Sequence, residues 1–144
     1  MSSEQTIIST RVFNFDIEKV FRAWTEPEHL KNWWGPNGFT NTFHSYDLKP
    51  GGTWKFTMHG PDKGNYENEC VFEIIDKPNL LVWSRLSKPI FKVSAEFEKQ
   101  ADKTKIIFKM IFNESREYET IKKFAPEKNE ENFDRLEKEL EKMK

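Results

Sequence analysis

Three histidines, His29, His44 and His59, fall 15 residues apart. A metal site built from histidine brings ring nitrogens together through i, i+4 pairs or short Cys/His clusters. The even, wide spacing supplies neither, and the rings are credited with no Cys, Asp or Glu at ligand spacing. No metal and no other cofactor is expected, and His29 is expected on the exposed face of its helix. A second set, Tyr66, Asn68, Cys70 and Arg85, combines a phenol, an amide, a thiol and a guanidinium. Such groups orient a bound molecule by hydrogen bonds, or carry acyl or proton transfer when a placed base assists them. No Ser/His/Asp, Cys/His or paired-carboxylate arrangement can be read from the spacing. The balance is against an enzyme, no catalytic residue is assigned, and Cys70 reads as a small buried hydrophobe.

The elements that must position these groups follow from period and punctuation. Residues 5–13 are rich in β-branched side chains and form a first strand. Asp16 is a good N-cap for a short helix in which Ile17, Val20, Phe21 and Trp24 recur at i, i+3, i+4 and i+7. Pro27 restarts a helix with Leu30, Trp33 and Trp34 on one face, and Gly35-Pro36 ends it. From Phe39 the period changes to two, and runs separated by turns give six strands: 39–48, 54–59, 66–76, 80–85, 90–99 and 106–112. In the third run Tyr66, Asn68, Cys70, Phe72 and Ile74 are expected to share a face. An irregular helical piece from Tyr118 to Phe124 precedes a long helix with Phe133, Leu136, Leu140 and Met143 along one stripe. On its outer faces Glu130 and Asp134, and Glu137 and Glu141, repel mildly.

This order predicts an α+β fold: a seven-stranded curved antiparallel sheet wrapped around the long C-terminal helix, with two short helices between the first two strands. No linker divides the chain, so residues 1–144 read as one domain. The inward row, with the double tryptophan, is the expected wall of any cavity: Trp33, Trp34, Trp54, Phe56, Met58, Tyr66, Phe72, Trp83, Arg85, Phe97, Phe108, Met110 and Phe133.

Composition narrows the partners. Lys and Arg total 23 against 24 Asp and Glu, a formal net charge of -1. Nucleic acids and anionic membranes both need an excess of positive charge on one face, so neither is expected. A single cysteine and a polar start, Met1 to Gln5, point to a cytoplasmic protein, as monomer or homodimer.

The run Val20-Phe21-Arg22-Ala23-Trp24-Thr25-Glu26-Pro27-Glu28-His29-Leu30, then Trp33-Trp34-Gly35-Pro36, then Asp47 with Pro50-Gly51-Gly52 and Trp54, then Met58-His59-Gly60-Pro61-Asp62, resembles the homologues of the activator of heat-shock-protein-90 ATPase. These belong to the START-like, or Bet v-like (SRPBCC), superfamily with its helix-grip fold. The resemblance runs from about residue 7 to residue 140 and departs from the family where Asn132-Phe133 replaces a common Gly-Trp pair. It implies a cavity between sheet and long helix that binds a hydrophobic or amphipathic small molecule. The alternatives it implies are a stress-related, chaperone-directed module and a cyclase- or hydrolase-like enzyme.

Overall fold

The computed structural model describes residues 5–143; the polar start, residues 1–4, and Lys144 lie outside them. Strand β1 (Gln5–Phe13) is followed by α1 (Ile17–Thr25) and α2 (Pro27–Trp33), then by β2 (Thr40–Tyr46), β3 (Thr53–His59), β4 (Asn65–Asp76), β5 (Leu80–Arg85), β6 (Lys92–Gln100) and β7 (Lys103–Phe112). Two helices close the order, α3 (Ser115–Ile121) and α4 (Ala125–Lys142). The strands form one seven-stranded antiparallel sheet in the order β1-β7-β6-β5-β4-β3-β2. Every strand from β2 to β7 pairs with its sequence neighbour, and β1 joins last, against β7. No helix among the described residues is long and apolar enough to cross a membrane.

The helical corner forms for local reasons. Asp16 Oδ1 accepts from the Lys19 N–H (3.0 Å) and caps α1. Pro27 opens α2 in the first turn, where the missing N–H costs nothing. The Trp33 indole N–H donates to the Ala23 carbonyl (2.9 Å) and ties the two helices together. The last carbonyls of α2 have no intrahelical partners, and two distant side chains take them. Asn41 Nδ2 donates to Lys31 O (3.0 Å) and Trp34 O (2.8 Å). Arg135 of α4 donates to Asn32 O (3.0 Å), Gly35 O (2.8 Å), Pro36 O (2.9 Å) and Phe39 O (2.8 Å).

Gly35 is required at this corner. Its φ is +105°, and a Cβ there would lie 2.7 Å from Met58 Cε. Its N–H donates to Asn132 Oδ1 (3.1 Å). Asn132 thus ties the Trp-Trp-Gly-Pro loop to α4 by its amide, while the neighbouring Phe133 is buried against Phe13 and Phe108 of the sheet.

The stripe on α4 packs into the concave face of the sheet, with Phe133, Leu136, Leu140 and Met143 buried. The acids on its outer face do not simply repel. Arg11 of β1 sits among Glu130 (2.7 Å), Asp134 (2.9 Å) and Glu137 (3.6 Å), with its guanidinium 5.4 Å from the Phe133 ring centre. The α4 acids gain a cation that helix spacing alone could not reveal.

Strand β4 departs from the expected alternation. A bulge between Phe72 and Ile74 reverses the faces, so that Ile74 is 44% exposed while Ile75 packs on the core. The bulge lies beside the Gly51-Gly52 corner, where Gly51 N–H donates to Phe72 O (2.8 Å) and Phe72 N–H to Gly52 O (2.9 Å). A Cβ on Gly52 would fall 2.0 Å from the Asp47 carbonyl oxygen, so no larger residue fits.

Candidate functional site

The five tryptophans meet in one cluster. Trp34 is its hub, with ring centres 6.2 Å from Trp24, 5.6 Å from Trp33, 6.0 Å from Trp54 and 5.5 Å from Trp83. Trp54 continues the packing through Phe56 (4.3 Å) and Phe72 (6.1 Å). Edge-to-face and stacked rings at these separations fill space at crystal-like density. Of the expected wall residues, Trp33, Trp54, Phe56, Phe72, Trp83, Phe97, Phe108 and Phe133 are each at most 4% exposed and serve this packed interior. Trp34 is half-buried within it.

A cavity opens beside the cluster, where α3 and the start of α4 stand off from the sheet. Its volume is about 870 Å³. Met58, Tyr66, Arg85 and Met110 are the expected residues that the structure brings to it, together with Asn68. Met58 comes from β3, Tyr66 and Asn68 from β4, Arg85 from the end of β5, and Met110 from β7. The rest of the apolar wall comes from Phe39 just before β2, Phe91 just before β6, Ile121 at the end of α3, and Phe124 ahead of α4. The sequence pattern puts Phe39 and Phe91 inside period-two runs and Ile121 and Phe124 in a helical piece without assigning any of them to the wall; β2 and β6 begin only at Thr40 and Lys92, so both rings fall outside the sheet's alternation. A separate surface groove beside Arg135, lined by Asn32, Asn37, Lys138, Glu139 and Lys142, has no apolar side chain.

The polar groups of the cavity are held firmly. Arg85 Nε donates to Pro89 O (2.9 Å), Nη2 to Lys88 O (3.0 Å) and Ser87 Oγ (3.4 Å), and Nη1 to Asn68 Oδ1. Its guanidinium carbon lies 5.4 Å from the Phe91 ring centre. Burial pulls the Arg85 pKa down, and Glu117 is the carboxylate whose charge opposes that pull. Glu117 also accepts from the Ile90 N–H (3.3 and 3.4 Å). Among the described residues no carboxylate lies within ion-pair distance of Arg85. Asn68 is buried and also donates to Tyr66 O (2.9 Å). Tyr66 is 46% exposed at the rim, where its hydroxyl donates to Asp62 Oδ2 (3.1 Å). That bond raises the Tyr66 pKa, while Asp62 is lowered first by the Gly64 N–H and then by Tyr66.

Cys70 lies in the packed interior rather than in the cavity wall. Burial pushes its thiol up to about 12, with Arg85 opposing the shift, so little nucleophilic thiolate forms at neutral pH. The three histidines are spread over separate hydrogen-bond groups. His44 Nε2 bonds Thr57 Oγ1 (2.7 Å), and His59 bonds Thr42 and Asn65 (2.8 and 2.7 Å). His29 corrects the expectation of an exposed ring. Its Nδ1–H donates to the buried Glu139 of α4 (2.8 Å), because α2 lies against that helix. The helical turn also brings Glu26, at i−3, near His29. With Glu28 these residues place ligand atoms within 4.8 Å of one another, an arrangement able to hold a cation, although the sequence credited His29 with no such neighbour.

The sequence profile described as "Activator of Hsp90 ATPase homolog 1-like protein" matches residues 14–141. Comparison with curated proteins returns no match. Among solved structures, a protein of Arthrobacter aurescens superposes with a TM-score of 0.88 at 19% identity, covering 96% of this chain and 87% of that one. A protein of Nitrosomonas europaea gives 0.87 at 20% identity, covering 96% of each chain. CalU16 of Micromonospora echinospora gives 0.70 at 17% identity, covering 94% of this chain and 75% of its own. At these identities the likeness shows the fold, which is the START-like helix-grip fold. The profile match spans the two short helices, the strands from β2 onward and nearly all of α4, and the chain belongs to the family of Activator of Hsp90 ATPase homolog 1-like proteins.

Proposed function

We propose that the protein is a cytoplasmic binding module that holds an amphipathic small molecule in the cavity between the sheet and the start of α4. The observation that carries this reading is the division of the interior: the tryptophan cluster fills one end, and the other end keeps a cavity of about 870 Å³. Small-molecule sites fall at ~300–1,000 Å³, apolar in the main, with a few placed polar groups. Phe39, Met58, Phe91, Met110, Ile121 and Phe124 supply the apolar area, and Asn68 and Arg85 supply the polar end. Tyr66 stands at the entrance.

The test is a thermal-shift screen of amphiphiles and planar hydrophobes against the full chain. A ligand at a hundred times its Kd stabilises by ~2.7 kcal/mol, which raises Tm by roughly 5–10 °C for a chain of this size. A panel that leaves both Tm and tryptophan emission unchanged removes the proposal. The family's description supports a second reading, a module directed at a chaperone ATPase. Stimulation of the host chaperone's ATPase by the purified protein is its test, and unchanged turnover removes it.

A further inference from the structure

We infer that the molecule held in the cavity carries an anionic head, a carboxylate on an apolar body of the fatty-acid class, and that the carboxylate meets Arg85. The inference rests on the reading of this cavity as a ligand site. Its basis is how Arg85 is partnered. Asn68, Ser87, Lys88 and Pro89 contribute neutral oxygens, four acceptors for the five N–H donors of a guanidinium. One Nη1 hydrogen is left over. More important, neutral acceptors satisfy donors without cancelling charge; Glu117 acts on Arg85 only through space, and an inward cation with no carboxylate in contact is costly. A carboxylate in the cavity cancels it.

Cations outnumber carboxylates in the lining: Lys88 and Lys128 stand with Arg85, against Glu67, with Lys128 Nζ also 4.0 Å from Glu131 outside the lining. Glu67 accepts from the Thr57 hydroxyl (2.9 Å to both oxygens), which orients it without cancelling its charge, and it makes no ion pair with Arg85. The guanidinium is also fixed before any ligand arrives: the β5–β6 loop wraps it with the Lys88 and Pro89 carbonyls, and Phe91 covers one face. A preorganised donor loses little freedom on binding. Met58 and Met110 give the apolar wall two unbranched thioethers that adapt to a flexible chain.

The test compares two ligands with the same tail. Full-length protein is loaded with the neutral fluorophore N-phenylnaphthylamine, which is then displaced by dodecanoate or by dodecanol. Dodecanoate is expected to displace it at roughly ten- to hundredfold lower concentration, the range that one hydrogen bond to a charged group supplies. In Arg85→Gln this preference disappears, so that dodecanoate and dodecanol displace the fluorophore at the same concentration. Lys128→Met, at the rim, narrows it without abolishing it. Because Arg85 also holds a loop, the wild-type ratio of the two ligands stands as a measurement independent of any variant. Equal displacement by dodecanoate and dodecanol in the wild type overturns the carboxylate inference and leaves the cavity reading intact. A preference that survives Arg85→Gln overturns the role of Arg85. A fluorophore that does not bind, with dodecanoate and dodecanol both failing to shift Tm, overturns the cavity reading and this inference together.

Discussion

Replacing Arg135 with Met tests whether α4 holds the double-tryptophan loop through backbone carbonyls. The methionine keeps the unbranched stem against its neighbours and removes the guanidinium. Four bonds of 2.8–3.0 Å are lost, to Asn32, Gly35, Pro36 and Phe39. A hydrogen bond from a charged donor contributes ~1.5–3 kcal/mol when buried, but the Asn32 bond is exposed and water replaces much of it. The three part-buried bonds also share one side chain, so they do not add in full. A loss of about 2–4 kcal/mol follows, corresponding to roughly a 6–12 °C fall in Tm. Urea denaturation at two salt concentrations is the assay. The acceptors are neutral, so the loss should be the same at low and high ionic strength, unlike that of an ion pair. Arg135→Lys should recover only a minor part, since one ammonium cannot span carbonyls from Asn32 to Phe39. If Arg135→Met lies within about 0.5 kcal/mol of wild type, the range of an ordinary surface change, the clamp contributes nothing and the argument fails.

Arg11→Met should cost about 1 kcal/mol through its half-exposed partners Glu130, Asp134 and Glu137, and the difference should shrink as salt is added, measured by urea midpoints. Cys70 and Tyr46 are both raised by burial, Cys70 to about 12 from an unfolded value of 9.0. The unfolded chain therefore loses these protons first, and stability is full below pH ~9 and falls between pH ~9 and 12. Chemical denaturation across that window should show the fall, and Cys70→Ala should remove part of it; a flat profile contradicts the burial argument. Gly52→Ala must push a Cβ away from a carbonyl oxygen that cannot rotate aside, so about 2–4 kcal/mol should be lost, whereas at Gly51 a Cβ meets nothing within 4 Å and the cost is that of the φ of +85° alone, which asparagine tolerates better than most residues. Equal stabilities for Gly51→Asn and Gly52→Ala would contradict the contact geometry.

The sequence carried the architecture because two periods, 3.6 and 2, are local properties of the chain. β1 runs from Gln5 to Phe13 and α1 begins after Asp16, as read from pattern and capping. The bulge in β4 escaped, since nothing in Phe72-Glu73-Ile74-Ile75 marks an extra residue, and the bonds beside it from Phe72 to Gly51 and Gly52 join a separate segment of the chain. The cavity was legible only in part. Met58, Tyr66, Arg85 and Met110 lie on strands, where inward positions can be counted, yet which inward residues meet another ring and which meet open space depends on the courses of α3 and the β5–β6 loop. The pairings Arg11 with Glu130 and His29 with Glu139 join residues more than a hundred positions apart, beyond any local signal.

The pairing of β1 with β7 also sets the order in which this molecule can assemble. The partner of Gln5 is Phe112, so the earliest-made strand has no neighbour until the last strand has been made. Hairpins from β2 to β7 close over short loops, at small entropic cost, while β1 and the two helices behind it must wait. The nucleus of folding therefore belongs to the meander, and β1 with α4 docks afterwards as a closing step. Core truncations at the β6–β7 hairpin, such as Phe97 or Ile106 paired across it, should slow refolding, whereas truncations of Ile7 in β1 should chiefly speed unfolding. On the ribosome the chain would carry an unpaired β1 throughout most of its synthesis, and alternation of Thr6, Ile8 and Thr10 with Ile7 and Ser9 keeps that waiting strand from being uniformly apolar.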